Sequence, residues 1–304
     1  MIKITSLINI LFLLICFCND AIAQQPFEKF PFDTIASYHL KIKDGSEFIG
    51  KFISRDSTGI TVKTAALPKM NIPYASIESA EVISATSFVN GQYWFPNPNA
   101  TRYFFGPSAI NLKAGEGYYQ NTYLFLNSFN VGLSDNVSIG GGLEVLSTFG
   151  ISGDGPQPIF FITPKVGFPV AKKVHVGGGI LYASVPDFDT DNPERTGLGI
   201  MYGIGTYGTE DHNVSAGAGW GFIDGEFSTR PIITISAATR LSRRSAFVTE
   251  NWIVPEDVGY YAAVSYGIRF FGEKISVDLA FINSRDIVQF IPIGIPYVDF
   301  VVKF

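Results

Sequence analysis

Cysteine is nearly missing from this 304-residue chain. Its two copies, Cys16 and Cys18, precede Ala21-Ile22-Ala23. That tripeptide is a small-residue cleavage site behind a thin basic start (Lys3) and an apolar run from Leu7 to Phe17, so residues 1–23 read as a signal peptide. A mature chain beginning at Gln24 would carry no thiol. Disulfides, thiolate metal sites and a cysteine nucleophile are then excluded together. Charge is scarce too: Asp, Glu, Lys and Arg make up 16%, against roughly 25% in an average domain. Cleavage removes Lys3 and Asp20, one charge of each sign, and the net charge of −5 is unchanged. No basic footprint for nucleic acid remains. Beyond the signal, no apolar run approaches the ~18 residues of a helical membrane span. Histidine occurs three times, as His39, His175 and His212, and G-x-S-x-G is absent, since Gly150-Ile151-Ser152-Gly153 fails at the next position. An outer-membrane hydrolase built on a Ser–His pair is therefore the weakest of the functional readings.

What is abundant points elsewhere. Aromatic residues reach 14%, glycine occurs 31 times, and mean hydropathy is positive. Such a chain is too apolar for water yet has no membrane helix. A transmembrane β-barrel resolves the conflict, because lumen-facing residues dilute the lipid-facing ones at every second position.

From Arg102 onward the sequence settles into alternating runs separated by breaks: 102–110, 118–133, 137–148, 158–170, 174–185, 196–207, 213–223, 230–241, 245–253, 258–271, 274–284 and 297–304. Most have the ~9–11 residues of a spanning strand. The expectation is an all-β fold, a transmembrane antiparallel barrel of about 12 strands over 102–304, with ten as the alternative count. Side chains alternate faces along a strand. Phe160, Ile162, Val166 and Phe168 oppose Thr163, Lys165 and Gly167; Ile275, Val277, Leu279 and Phe281 oppose Ser276, Asp278 and Ala280. The breaks at Ser134-Asp135-Asn136, Ala171-Lys172-Lys173, Ser242-Arg243-Arg244 and Gly272-Glu273-Lys274 are tight, and longer ones lie between them. A strand order that begins and ends in the periplasm puts every tight turn on one side, as in outer-membrane barrels.

The final strand, Tyr297 to Phe304, places Val298, Phe300, Val302 and Phe304 on one face. It resembles the closing strand of a bacterial outer-membrane β-barrel. The resemblance implies that these four residues form the signal read by the barrel-assembly machinery, and that outer-membrane lipid surrounds the barrel. The stretches Arg102 to Ala109, Gly115 to Tyr119 and Asp135 to Gly142 resemble the barrel opening of uncharacterised outer-membrane proteins.

Ahead of the barrel, residues 24–85 read as a small β-domain with strands over 38–43, 47–55, 59–64, 69–73 and 77–83. Asp44-Gly45 and Asp56-Ser57-Thr58-Gly59 supply its turn signals. Leu40-x-Ile42-x-Asp44-Gly45, Phe48-x-Gly50, Ile72-Pro73 and Ile77 resemble a small Sm-like or SH3-like barrel. In Sm proteins such barrels form RNA-binding rings, but the balanced charge here argues against RNA. A periplasmic module that packs under the barrel or contacts an envelope protein through residues 38–84 is the expectation. Residues 86–101, with Tyr93-Trp94-Phe95-Pro96-Asn97-Pro98-Asn99, break any element and read as a linker with interface-seeking aromatics.

Candidate chemistry is thin. Gly203-Ile204-Gly205-Thr206-Tyr207-Gly208 matches a dinucleotide fingerprint, but a strand rather than a helix follows it. No cofactor is expected. Asp187, Asp189 and Asp191 start like a calcium loop, and the pattern then lacks its glycine and its bidentate Glu. The inward charges Glu144, Lys165, Arg240, Arg269, Asp278, Asp299 and Lys303 either line a selective pore or pair and fill the interior. A narrow channel or small-solute binding barrel is the leading functional expectation. The alternative is a structural or accessory barrel whose small domain docks a partner.

Overall fold

The computed structural model describes residues 27–84, 87–150, 155–186 and 195–304. The signal segment and the Asp187–Asp191 acidic pattern lie outside the described residues. The chain divides into two compact units, Met1–Trp94 and Phe95–Phe304.

The first unit is one antiparallel sheet of β1 (Ser37–Ile42), β2 (Glu47–Arg55), β3 (Gly59–Thr64), β4 (Met70–Pro73) and β5 (Ile77–Ile83), in the order β4-β3-β2-β1-β5. Its core is Phe32, Tyr38, Leu40, Ile42, Phe52, Ile60, Val62, Ile72 and Ile77. A register shift between Phe52 and Ser54 bends β2 as it passes from β1 to β3. Gly45 at φ +87° makes the first hairpin turn. At the second, the Asp56 carboxylate accepts from the Thr58 hydroxyl and from the backbone N–H of Thr58 and Gly59. A two-strand hairpin, β6 (Phe88–Val89) and β7 (Gln92–Tyr93), completes the unit.

The second unit is a closed barrel. Its strands are β8 (Gly117–Thr122), β9 (Leu126–Ser134), β10 (Val137–Glu144), β11 (Ile159–Ile162), β12 (Lys165–Ala171), β13 (Val174–Pro186), β14 (Arg195–Gly208), β15 (His212–Ile223), β17 (Ile232–Ser242), β18 (Ser245–Pro255), β19 (Tyr260–Phe271), β20 (Ile275–Ser284) and β21 (Ile295–Lys303). The two-residue β16 (Glu226–Phe227) only folds back on β15. β11 and β12 are one wall strand interrupted at Thr163-Pro164, where proline removes a ladder donor. Counted so, twelve antiparallel strands form the wall, and β21 pairs β8 to close it. Closure leaves no edge with unpaired backbone groups, which hydrocarbon requires.

Twelve strands were expected, but two of the expected runs are wrong in a way that cancels. Residues 102–110 are not a wall strand; they lie inside the barrel. Residues 118–133 are two strands, joined by a hairpin at Tyr123-Leu124-Phe125. Tyr123 and Leu124 both adopt positive φ, 53° and 69°, so the hairpin carries none of the Asn-Gly chemistry that announces such turns. The third run also ends early: Val145 opens a short helix, α1 (Val145–Thr148), and does not continue the outer apolar row.

The wall alternates as its sequence dictates. Phe129, Leu133, Ile139, Phe160, Ile162, Phe168, Val264, Phe270, Leu279, Val298 and Phe300 are exposed on the outside. Ser128, Ser138, Thr206, Ser215, Ser236, Ser265 and Ser276 are buried on the inside. The tight turns 135–136, 172–173, 209–211, 243–244 and 272–274 share one end with Gly117 and Lys303. The longer connections gather at the other end, and so does the three-residue hairpin Tyr123-Leu124-Phe125, so not every tight turn lies on one side as expected.

Candidate functional site: a filled lumen

The lumen holds the chain's own residues 95–113. Phe95, Asn99, Ala100, Arg102, Tyr103, Phe104, Ser108, Ala109, Ile110 and Leu112 are all buried. This segment folds back on itself: Arg102 bridges Pro107, the Tyr103 N–H donates to the Gly106 carbonyl at 2.9 Å and the Ser108 N–H to the Thr101 carbonyl at 3.0 Å. It pairs with no wall strand among the described residues, so its remaining backbone polar groups must be satisfied by side chains. Wall residues supply them. Glu250 on β18 accepts from three consecutive N–H groups with one carboxylate oxygen: Phe104 at 2.8 Å, Phe105 at 3.1 Å and Gly106 at 2.9 Å. Its other oxygen accepts from Trp252 Nε1 at 2.7 Å. Lys165 on β12 does the converse, donating to the carbonyls of Ile110 at 2.7 Å, Ser108 at 3.1 Å and Thr101 at 3.4 Å. Arg269 donates to the Tyr103 carbonyl at 2.5 Å, Gln120 to that of Phe104 at 3.0 Å, and Arg240 to that of Phe95 at 2.8 Å. The Ala109 N–H donates to Thr206 Oγ1 at 2.8 Å.

Charges close the set. Arg102, from the inner segment, reaches Asp278 at 3.2 Å and Asp299 at 3.4 Å, and Arg269 meets Asp278 at 2.6 Å. Two cations thus face two carboxylates, all fully buried, and the four charges sum to zero. A buried carboxylate left without such partners is costly. Beside this quartet, Tyr103 and Phe104 pack with Val248, Ala280 and Tyr297. Burying a Phe-sized side chain contributes ~1.5–3 kcal/mol. Tyr103 also donates its hydroxyl to Asn213 Oδ1 at 2.7 Å.

Glycine makes room for the segment. A Cβ on Gly132 would stand 2.1 Å from the Lys113 carbonyl oxygen, and one on Gly167 would stand 2.4 Å from that of Ala109. Inward glycines at these positions do not keep the interior empty; they admit a second backbone.

The expected lumen residues fall into two groups. Lys165, Arg240, Arg269, Asp278 and Asp299 all engage the inner segment. Glu144 and Lys303 do not. The Glu144 carboxylate caps α1, accepting from the Leu146 and Ser147 N–H groups at 2.7 Å each. Lys303 pairs with Glu116 at 3.2 Å at the tight-turn end. Val298, Phe300, Val302 and Phe304 lie on or beyond the outward face of β21, with Phe304 at the tight-turn end. Residues 95–101, read as linker, already lie within the barrel unit. Sequence reasoning missed Glu250 and Arg102. Glu250 was visible as the one acid on the inward face of its run, in step with Ala246 and Val248. Arg102 was hidden by assigning its segment to the wall. Of the histidines, His39 contacts Glu47 at 3.0 Å, His212 Nδ1 meets Thr239 Oγ1 at 2.7 Å, and His175 Nδ1 has no hydrogen-bond partner among the described residues. Thr206, opposite His175, is engaged by Ser215 at 2.6 Å instead.

The segment does not fill the lumen completely. A cavity of about 330 Å³ reaches from it toward the long-loop end. Phe105, Leu112, Leu126, Phe161 and Leu181 line it, with Tyr118, Gln120, Lys165 and Tyr202 among the polar groups.

The site is therefore that of a membrane β-barrel with a filled interior. No family model and no curated protein matches the chain. Among solved structures it is similar to a NanC porin (8% identity, 62% of this chain and 96% of that one, TM-score 0.38). It is also similar to OmpT, an outer membrane protein of Vibrio cholerae (10% identity, 88% and 94%, TM-score 0.32), and to the CymD monoaromatic hydrocarbon channel (8% identity, 88% and 85%, TM-score 0.31). The strand pairing, not these distant likenesses, defines the barrel.

Proposed function

We propose that this protein is a bacterial outer-membrane barrel that binds a small solute from its long-loop side, with passage closed by residues 95–113. The apolar exterior supports a lipid surround, and the short turns at one end support an orientation with that end in the periplasm. The observation that carries the reading is the buried inner segment anchored in the lumen with a cavity beside it. A twelve-strand wall is too wide for its own side chains to fill easily, and here a second stretch of chain completes the filling.

Planar-bilayer conductance tests it. The wild-type full-length protein is expected to be silent. The Glu250→Ala, Lys165→Met double variant, checked for folding by heat-modifiable gel mobility, is expected to show discrete steps. Steps from the wild type would refute the closed reading. A folded double variant that stays silent and binds no solute would favour the second reading, an accessory barrel. The multiply anchored segment supports that reading too. In it, the five-stranded unit is an Sm-like or SH3-like periplasmic module that docks an envelope partner.

A further inference from the structure

The cavity wall has a chemistry that selects among solutes. Its apolar part is large: Phe105, Leu112, Leu126, Ile159, Phe161 and Leu181. Two cations, Lys165 and Arg102, also line it, and neither Asp nor Glu does among the described residues. The two cations differ. Arg102 is neutralised by Asp278 and Asp299. Lys165 has three carbonyl oxygens as its partners and no carboxylate. Three acceptors match the three donors of an ammonium, whereas a neutral amine would turn a lone pair on one of them. In its protonated form Lys165 thus brings a positive charge to a low-dielectric wall, where an anionic ligand would be the partner it lacks.

Two hydroxyls complete the arrangement. Tyr118 and Tyr202 face the cavity from β8 and β14, and neither hydroxyl has a hydrogen-bond partner among the described residues. Arg102, only 4% exposed, also leaves its Nε without a hydrogen-bond partner among the described residues. Size sets the remaining limit. An apolar cavity of ~150 Å³ takes one benzene, so about 330 Å³ suits a molecule of roughly a dozen heavy atoms.

We propose that the lumen cavity bounded by Lys165, Tyr118 and Tyr202 binds small amphipathic monoanions, an apolar body carrying one carboxylate. The apolar body lies against Leu126, Phe161 and Leu181. The carboxylate accepts from the two tyrosine hydroxyls within the field of Lys165. This rests on the solute-binding reading above and names the class of solute.

The test is calorimetric titration of the full-length protein in lipid nanodiscs with 3-phenylpropanoate and with the uncharged 3-phenylpropan-1-ol. The expected result is at least tenfold tighter binding of the carboxylate. Tyr118→Phe with Tyr202→Phe should reduce that preference several-fold, and Ala183→Trp, which fills the cavity, should abolish binding of both. Equal binding of the two probes, both lost in Ala183→Trp, would overturn the inference and leave the solute-binding reading standing. Carboxylate binding that survives Ala183→Trp would place it outside the cavity and also overturn the inference. Binding of neither probe, together with a silent double variant, would end both.

Discussion

Glu250→Ala is the substitution from which most is to be learned. One carboxylate oxygen accepts three backbone N–H groups, and these belong to consecutive residues at the middle of the inner segment. A hydrogen bond to a charged group contributes about 1.5–3 kcal/mol, and a buried donor left unmade costs about 1–3 kcal/mol. Alanine strands three donors on the segment and a fourth at Trp252 Nε1. The loss should therefore reach at least ~3 kcal/mol for the segment alone, which is roughly a hundredfold in its docking equilibrium. Glu250→Gln keeps one oxygen for the segment but turns an amide on the Trp252 N–H, and should be milder. Hydrogen exchange read by mass spectrometry over residues 100–112 measures this directly. The peptide should exchange roughly a hundredfold faster in Glu250→Ala, with β19 and β20 unchanged. Exchange at the wild-type rate in a folded variant would refute the claim that Glu250 anchors the segment.

Arg102→Met leaves Asp278 and Asp299 with Arg269 alone and should cost about 3–5 kcal/mol. Pairing it with Asp299→Asn should recover part of that cost in a double-mutant cycle on thermal unfolding, and strict additivity would argue against a coupled quartet. Gly167→Ala, whose Cβ would press on the Ala109 carbonyl, should loosen the segment, whereas Gly205→Ala, with nothing within 4 Å, should be neutral. Equal effects of the two would remove the steric argument. In the first unit, the Thr58 hydroxyl and N–H and the Gly59 N–H hold the Asp56 carboxyl below its ordinary value of 3.8. With the folded value depressed, the contribution to stability is present above pH ~4 and lost as pH falls through that value. An NMR titration of the full chain showing Asp56 at or above 3.8 would contradict it, and Thr58→Val should raise its value.

The alternation of apolar and small polar residues was enough to define most of the wall. Phe160, Ile162, Val166 and Phe168 had to face outward once Thr163, Lys165 and Gly167 faced in, because a strand has only two faces. The tight turns at 135–136, 172–173, 243–244 and 272–274 were equally legible, since turn chemistry is local. The contents of the lumen were not. Residues 102–110 read like a strand because period two over a short stretch does not separate a wall strand from a segment that turns back on itself, as this one does where Arg102 bridges Pro107. A clue was present: Gly106-Pro107 interrupts the run, and proline has no N–H to give to a ladder. The hairpin at Tyr123-Leu124 was hidden because positive φ there is held by surrounding contacts rather than by glycine. The groups that the inward charges meet on the inner segment lie 55 to 197 positions away in the chain. Their partners are largely backbone carbonyls and N–H groups, which every residue carries, so only the tertiary structure could bring Glu250 and Lys165 onto the two kinds of group in one segment.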